Sequence, residues 1–212
     1  MASQRAGQPD ATDPAGFERH ALDDRHGFFT GRLPEPLRSD GPRFDELWSL
    51  HPAEYHEIMI HGRPVKTPRW QQAFGADYHY TGRVNAGLPV PAILRPLWDW
   101  CRVAIDGRLN GLLLNWYEPG LGHYIGAHRD STVNMLEGAP IVTVSLGGTR
   151  AFRLRPWKGK GFRDFEAADG AVFVMPYDTN LAWTHEVPGR KGDRGRRISV
   201  TLRAFTAGAA AG

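Results

Sequence analysis

Cysteine is nearly absent: Cys101 is the only one in 212 residues. An internal disulfide is therefore excluded, as is any cluster built on several thiolates, and a reducing compartment, the cytoplasm, is the expected location. Long apolar runs are missing as well. No stretch approaches the ~20 residues of a membrane-spanning helix, and the opening MASQRAGQPDATDPAG has no apolar centre of the kind a secretory signal carries. A membrane partner is not expected. Net charge is small, +3 from 26 Lys and Arg against 23 Asp and Glu, so the total does not by itself point to nucleic acid.

The sequence is rich in turn-formers: its 25 glycines and 16 prolines favour short strands joined by turns over a helical bundle. A hydrophobic content of 41% is enough for one core. A single domain, expected to act as a monomer, is predicted over residues 17–206, between tails at 1–16 and 207–212 that are too small and polar to bury themselves. Phe44, Leu47 and Trp48 share one helical face after Pro42, and beyond Pro52 the text turns strand-like up to Ile60, with a turn at His61 and Gly62. A second helix is predicted from Pro91 to Ile105, its regular part starting nearer Arg95 because Pro96 fits only a first turn. From Gly111 onward come GLLLNWYE, APIVTVSLGG, RAFRLRPW, GAVFVMPY, LAWTHEVP and RRISVTLRAF, each bounded by turn residues. The fold class is mainly β with flanking helices (α+β), an antiparallel double-sheet barrel or sandwich.

Two of these strands carry polar groups at every second position. In RRISVTLRA, Arg197, Ser199, Thr201 and Arg203 share one face and Ile198, Val200, Leu202 and Ala204 the other; in LLNWYEPG, Asn115 and Tyr117 form a similar pair. An outer strand with its arginines in water gives the same pattern. Several such faces near one metal motif suggest a polar interior instead. The motif is His128 and Asp130, whose side chains project the same way from an extended chain, with His185 arriving 57 residues later in WTHEVP. Two histidines and a carboxylate form a facial triad with open positions for iron(II), although zinc takes the same ligands. The paired arginines favour iron with a 2-oxo acid, whose far carboxylate needs a fixed guanidinium.

These residues resemble a known family. NWYEPG at Asn115 to Gly120, HRD at His128 to Asp130, SLGG at Ser145 to Gly148, WTHEVP at Trp183 to Pro188 and RISVTLR at Arg197 to Arg203 recur in the order of the AlkB family of iron(II) and 2-oxoglutarate dioxygenases. The resemblance implies a double-stranded β-helix (jelly-roll) core over about 111–205, with an N-terminal nucleotide-recognition lid over about 55–90. It implies that His128, Asp130 and His185 hold Fe(II) and that Arg197 pairs with the distal carboxylate of 2-oxoglutarate, with Asn115, Tyr117, Ser199 and Arg203 completing that site. Ser199 stands where the family often has Asn. The activity implied is oxidative dealkylation of a nucleic-acid base with O2, releasing succinate, CO2 and an aldehyde.

The segment IMIHGRPVKTPRWQQAFGADYHYTG is similar to the lid of the duplex-DNA repair branch, which implies substrate contacts at His61, Arg69, Tyr78, Tyr80 and Ser131. Tyr78 and Tyr80 read equally well as core packing of a half-buried strand. His61 stands where an apolar wedge is common, and Ser131 and Thr132 stand where repair members commonly carry acidic residues that read an exocyclic amine. Arg150, Arg153, Arg155, Lys158, Lys160 and Arg163 form a run without an acid, and Arg190, Lys191, Arg194, Arg196 and Arg197 a second with only Asp193. Such loops attract the phosphates of alkylated DNA or RNA, or simply face water. The alternatives are the same chemistry on a small molecule or protein, and a catalytically silent nucleic-acid-binding homologue.

Overall fold

A computed structural model describes residues 14–38, 41–60, 62–80, 83–85, 87–189 and 192–206. The chain opens with a hairpin, β1 (Glu18–Ala21) and β2 (Gly27–Arg32), followed by helix α1 (Gly41–Ser49). Two further hairpins, β3 (Glu57–Ile60) with β4 (Arg63–Lys66) and β6 (Tyr78–Tyr80) with β7 (Arg83–Asn85), flank strand β5 (Trp70–Phe74). A single 3-10 turn, Ala92–Leu94, leads into α2 (Arg95–Ala104), so the regular helix begins where Pro96 allows it. The core strands are β8 (Gly111–Tyr117), β9 (Ile125–His128), β10 (Ile141–Gly147), β11 (Arg150–Pro156), β12 (Arg163–Ala167) and β13 (Ala171–Met175). A short helix α3 (Tyr177–Ala182) then precedes β14 (Trp183–Val187) and β15 (Arg197–Arg203).

Seven strands form the larger sheet in the order β1-β2-β13-β10-β15-β8-β5, and four form the smaller in the order β12-β11-β14-β9. All the strand pairs described are antiparallel. The six core runs read from the sequence all fall on strands. The larger sheet also recruits β1, β2 and β5, which lie outside the 111–205 span expected for the core.

Both faces of the central strands are covered, and this decides where the polar residues go. Leu112, Leu114 and Trp116 of β8 and Ile198, Val200 and Leu202 of β15 pack in one core with Leu47 and Trp48 of α1 and Leu97 and Cys101 of α2. The Trp116 indole N–H donates to the Leu47 carbonyl at 3.0 Å, fixing α1 to the sheet. Burial of each such aliphatic side chain contributes roughly 1.5–3 kcal/mol. With helices on that side, the alternate residues must point into the space between the sheets, where Leu113 and Tyr117 share a second core with Phe152 and Leu154 of β11 and Trp183 and Val187 of β14. Arg197 and Arg203 are accordingly 0% and 3% exposed, which rejects an outer strand with its arginines in water. At the end of β10 only glycine fits: Gly147 has φ 79, and a Cβ there would stand 2.5 Å from the Arg196 carbonyl oxygen.

Candidate active site

Register brings the polar positions of four strands into line. Ser145 of β10 faces Ser199 of β15, Ser199 faces Asn115 of β8, and Asn115 faces Gln71 of β5. One step along, Arg197 faces Tyr117; at the far end Arg203 pairs with Gly111. The smaller sheet closes over this row, and a cavity between the sheets is lined by Asn115, Tyr117, Ser199 and Arg203 on one side and His128 and His185 on the other.

His128 ends β9 and pairs directly with His185 of β14, their ring centroids 4.3 Å apart. Asp130 lies two residues beyond β9, fully buried. Its Oδ1 is 3.6 Å from His128 Nε2 and 4.0 Å from His185 Nε2, and the three ligating groups lie within 4.8 Å of one another. His128 Nδ1–H donates to the Gly126 carbonyl at 2.8 Å, which leaves the Nε2 lone pair facing Asp130. The Arg203 Nε and Nη2 donate to Asp130 Oδ2 at 2.8 and 2.6 Å, so that oxygen is taken. Oδ1 has no hydrogen-bond partner among the described residues although it is buried. An orphaned carboxylate oxygen between two imidazole nitrogens fits a divalent metal, and the two-histidine, one-carboxylate set leaves positions open for other ligands.

Burial alone would push the Asp130 carboxyl up. Burial is the largest single influence, but the Arg203 guanidinium, His128 and His185 together outweigh it and hold the group well below the usual carboxylate range. Burial first, and then the neighbouring His128, push His185 down to about 3. The fold therefore binds fewer protons than the unfolded chain from the ordinary histidine value of 6.5 down to about 3, so stability from His185 is full above 6.5 and is lost as pH falls. Asp130 acts with the same sign in a lower window. In metal-free protein the stability measured by urea unfolding is expected to fall on acidification from pH 7 to 4, with His185 contributing up to about 1.4 kcal/mol per pH unit. His185→Gln should flatten that slope, and an unchanged slope in the variant would assign the acid sensitivity to other groups.

The second feature is a buried cation whose terminal nitrogens meet no partner among the described residues. Arg197 is fully buried; its Nε donates to Ser145 Oγ at 2.9 Å, and its Cζ lies 4.9 Å from the Tyr117 ring centroid. Nη1 and Nη2 are buried with no hydrogen-bond partner among the described residues. Burial lowers its pKa, against the opposing influence of Tyr117. Arg197 and Arg203 are six residues apart on one strand, about 20 Å along the backbone; Arg203 lines the cavity beside the two histidines, whereas Arg197 lies at the other end of the strand against Tyr117. Arg203, expected beside Arg197 in the oxo-acid site, is engaged with the Asp130 carboxylate. Ser199 and Tyr117 are buried and line the cavity.

Arg69, expected at the substrate, is buried in the same cavity: its Nε donates to Asn115 Oδ1 at 2.7 Å and its Nη2 to Gln71 Oε1 at 3.2 Å. Asn115 is thus already engaged by Arg69. Ser131 is half-buried next to Asp130. The backbones of Tyr78 and Tyr80 lie in β6, but their side chains, and all of His61, lie outside the described residues. Three participants had no role assigned from sequence: Ser145, which steadies Arg197; Gln71, which shares Arg69; and Asn180, which bonds the backbone of Asp130. SLGG was visible as a motif, whereas Gln71 and Asn180 carried no signal beyond residue type.

A family profile described as 2OG-Fe(II) oxygenase superfamily matches residues 43–203. The chain belongs to that superfamily. DNA oxidative demethylase ALKBH2 of Bos taurus is 28% identical over 157 residues, covering 69% of this chain and 56% of that protein. The Homo sapiens ALKBH2 is also 28% identical, with 69% and 60% covered, and the Arabidopsis thaliana protein of that name is 26% identical over 202 residues, with 79% and 63% covered. The chain thus spans 56% to 66% of the length of these relatives and their mouse counterpart. The solved structure of OsALKBH1 shares the fold, with a TM-score of 0.58 at 14% identity over 89% of this chain and 100% of that one. The AlkB resemblance and the jelly-roll core are borne out, and the chain carries the two-histidine, one-carboxylate set that suits the iron(II) of that superfamily. Among the described residues no helix is long and apolar enough to cross a membrane.

Proposed function

We propose that this oxygenase removes alkyl groups from bases in DNA or RNA. In this reading His128, Asp130 and His185 hold the iron, the free Arg197 guanidinium takes the distal carboxylate of 2-oxoglutarate beside Tyr117 and Ser199, and Asn115 and Arg203 line the rest of the cavity, Arg203 at the metal end against Asp130. Bound iron and 2-oxoglutarate supply the activation of O2. The protein's own part is to orient the co-substrate and keep Asp130 ionised. A base enters beside Arg69 and Ser131, with Tyr78, Tyr80 and His61 in the lid.

The polymer reading is carried by one surface. Trp157 and Phe162, 47% and 52% exposed, stand at the β11–β12 connection with Arg129 4.2 Å and Arg153 3.7 Å from their ring centroids. Exposed rings interleaved with guanidinium groups suit stacked bases and phosphates. Arg153 and Arg155 are partly neutralised by Asp164 and Glu186, so Lys158 and Lys160, in the same connection, are the better phosphate contacts. The name shared by the curated relatives, DNA oxidative demethylase, supports the same reading, and a free, buried Cys101 suits a reducing cytoplasm.

Release of formaldehyde and succinate with a methylated oligonucleotide tests the activity. Lys158→Glu with Lys160→Glu is expected to raise the oligonucleotide KM about tenfold or more at low salt and to reduce the salt slope by about 2. Substrate-free turnover of 2-oxoglutarate should not change. Equal activity of the double variant at all salt concentrations would favour a small-molecule or protein substrate.

A further inference from the structure

We propose that Asn180 is a positioning residue for the metal, acting through the backbone of Asp130. Asp130 follows the last ladder position of β9, so strand pairing does not satisfy its peptide groups. Asn180 replaces that pairing. The Asp130 N–H donates to Asn180 Oδ1 at 2.9 Å, and Asn180 Nδ2 donates to the Asp130 carbonyl at 3.0 Å. A primary amide presents one donor and one acceptor in a plane, as a neighbouring strand does, and the two bonds admit only one orientation of it. Asn180 is 1% exposed, so water does not compete.

A second strut runs beside the first. Arg129, between the two ligands in sequence, donates to the Leu181 carbonyl at 2.7 Å, and its guanidinium lies over the ring of Trp157, whose backbone N–H donates to the Ala182 carbonyl at 2.8 Å. These carbonyls belong to the C-terminal end of α3, where helical partners run out. The same helix continues into β14, so one rigid element carries Asn180 and, five residues later, the ligand His185.

The helix is itself tied to the first hairpin. Thr179 Oγ1 donates to the Gly27 carbonyl at 2.8 Å, and the Trp183 indole N–H donates to Asp23 Oδ2 at 3.0 Å. That hairpin precedes residues 43–203, the span of the family match. Arg203 fixes the rotation of the Asp130 carboxylate and Asn180 fixes the height of its backbone. Together they set Oδ1 against the two imidazoles.

The proposal depends on the metal triad and not on the nucleic-acid reading, so Co(II) binding without substrate tests it even if no base is demethylated. Asn180→Ala is expected to weaken Co(II) binding about 10- to 100-fold, the cost typical of losing a partner of a ligand, and to alter the Co(II) visible absorption. Trp183→Phe, which frees the junction of α3 and β14 from the first hairpin but leaves both Asp130 bonds, should lower Tm while leaving Co(II) affinity and spectrum as in the parent. Arg129→Lys, an exposed change that keeps the charge, should weaken Co(II) several-fold and provides the test if Asn180→Ala does not fold. The proposal is overturned if a folded Asn180→Ala binds Co(II) within twofold of the parent with the same spectrum. It is also overturned if Trp183→Phe loses Co(II) affinity in proportion to its Tm as Asn180→Ala does, or if Asn180→Ala does not fold and Arg129→Lys is silent.

Discussion

Replacing Arg197 with methionine is expected to raise the 2-oxoglutarate concentration needed for half-maximal succinate release by about a hundredfold or more, with the apoprotein at least as stable as its parent. The two expectations come from one observation. Arg197 is a buried cation whose Nη1 and Nη2 lack partners among the described residues, and an uncompensated buried charge destabilises a fold. Methionine has similar length and no charge. The one bond lost, to Ser145, leaves that hydroxyl still donating to the Ala167 carbonyl at 3.1 Å. Against this, losing one partner of a desolvated charge pair with a ligand costs about 2–5 kcal/mol, or from tens to thousands in affinity. A 2-oxo acid without the second carboxylate should lose far less between parent and variant. A KM for 2-oxoglutarate within threefold of the parent would remove Arg197 from the co-substrate site, and a large drop in apoprotein Tm would make it a structural arginine.

That arginine also marks the limit of what the sequence makes legible. The alternation of Arg197, Ser199, Thr201 and Arg203 was plain, and so were the six core strands, because period-2 patterning is local. Which way the polar face turns was not. That depends on α1 and α2 covering the opposite face of β15, an arrangement set by residues a hundred positions away. The triad was legible because HRD and WTHEVP recur in the order of a known family beside the paired arginines; the His128-x-Asp130 spacing alone is a weak signal in a sequence with 9 histidines. The β1–β2 hairpin and α3 were not, since ERHA and YDTNLA are too short for a period to emerge and both are held by long-range partners.

Partner choice was less legible still. Arg69 read as a lid residue because it follows a proline within a resemblance to substrate-contacting segments; its bond to Asn115 links residues 46 positions apart, just ahead of β5 and on β8, and satisfies two buried polar groups at once. Arg203 read as a second co-substrate arginine because it shares a face with Arg197. Six residues of extended chain instead carry it to Asp130, where a buried carboxylate needs a counter-charge. Face and residue type are thus properties of the local text, whereas the distance along a strand decides which anion each cation meets.

The Asp130–Arg203 pair yields the second large expectation. Arg203→Met should destabilise metal-free protein by about 3–5 kcal/mol, because it leaves a buried carboxylate uncompensated. Urea unfolding in the presence of a chelator measures this. Two further results separate the pair from a generic core defect. Mn(II) should restore much of the lost stability, since a bound dication supplies the charge that the guanidinium gave, and stabilisation grows with occupancy of the folded state alone. Asp130→Leu combined with Arg203→Met should fold more stably than Arg203→Met alone, because replacing both members by apolar groups removes the unpaired charge, while Mn(II) no longer stabilises it. The burial of Asp130 leaves little alternative: without Arg203 or a metal, its carboxyl must take up a proton at much higher pH than the ordinary carboxylate. The Asp130 contribution then gains stability as pH falls toward the ordinary carboxylate range and opposes the loss caused by His185, making the variant's acid sensitivity weaker than the parent's. A loss below about 1 kcal/mol in Arg203→Met would mean that water or another group already balances Asp130.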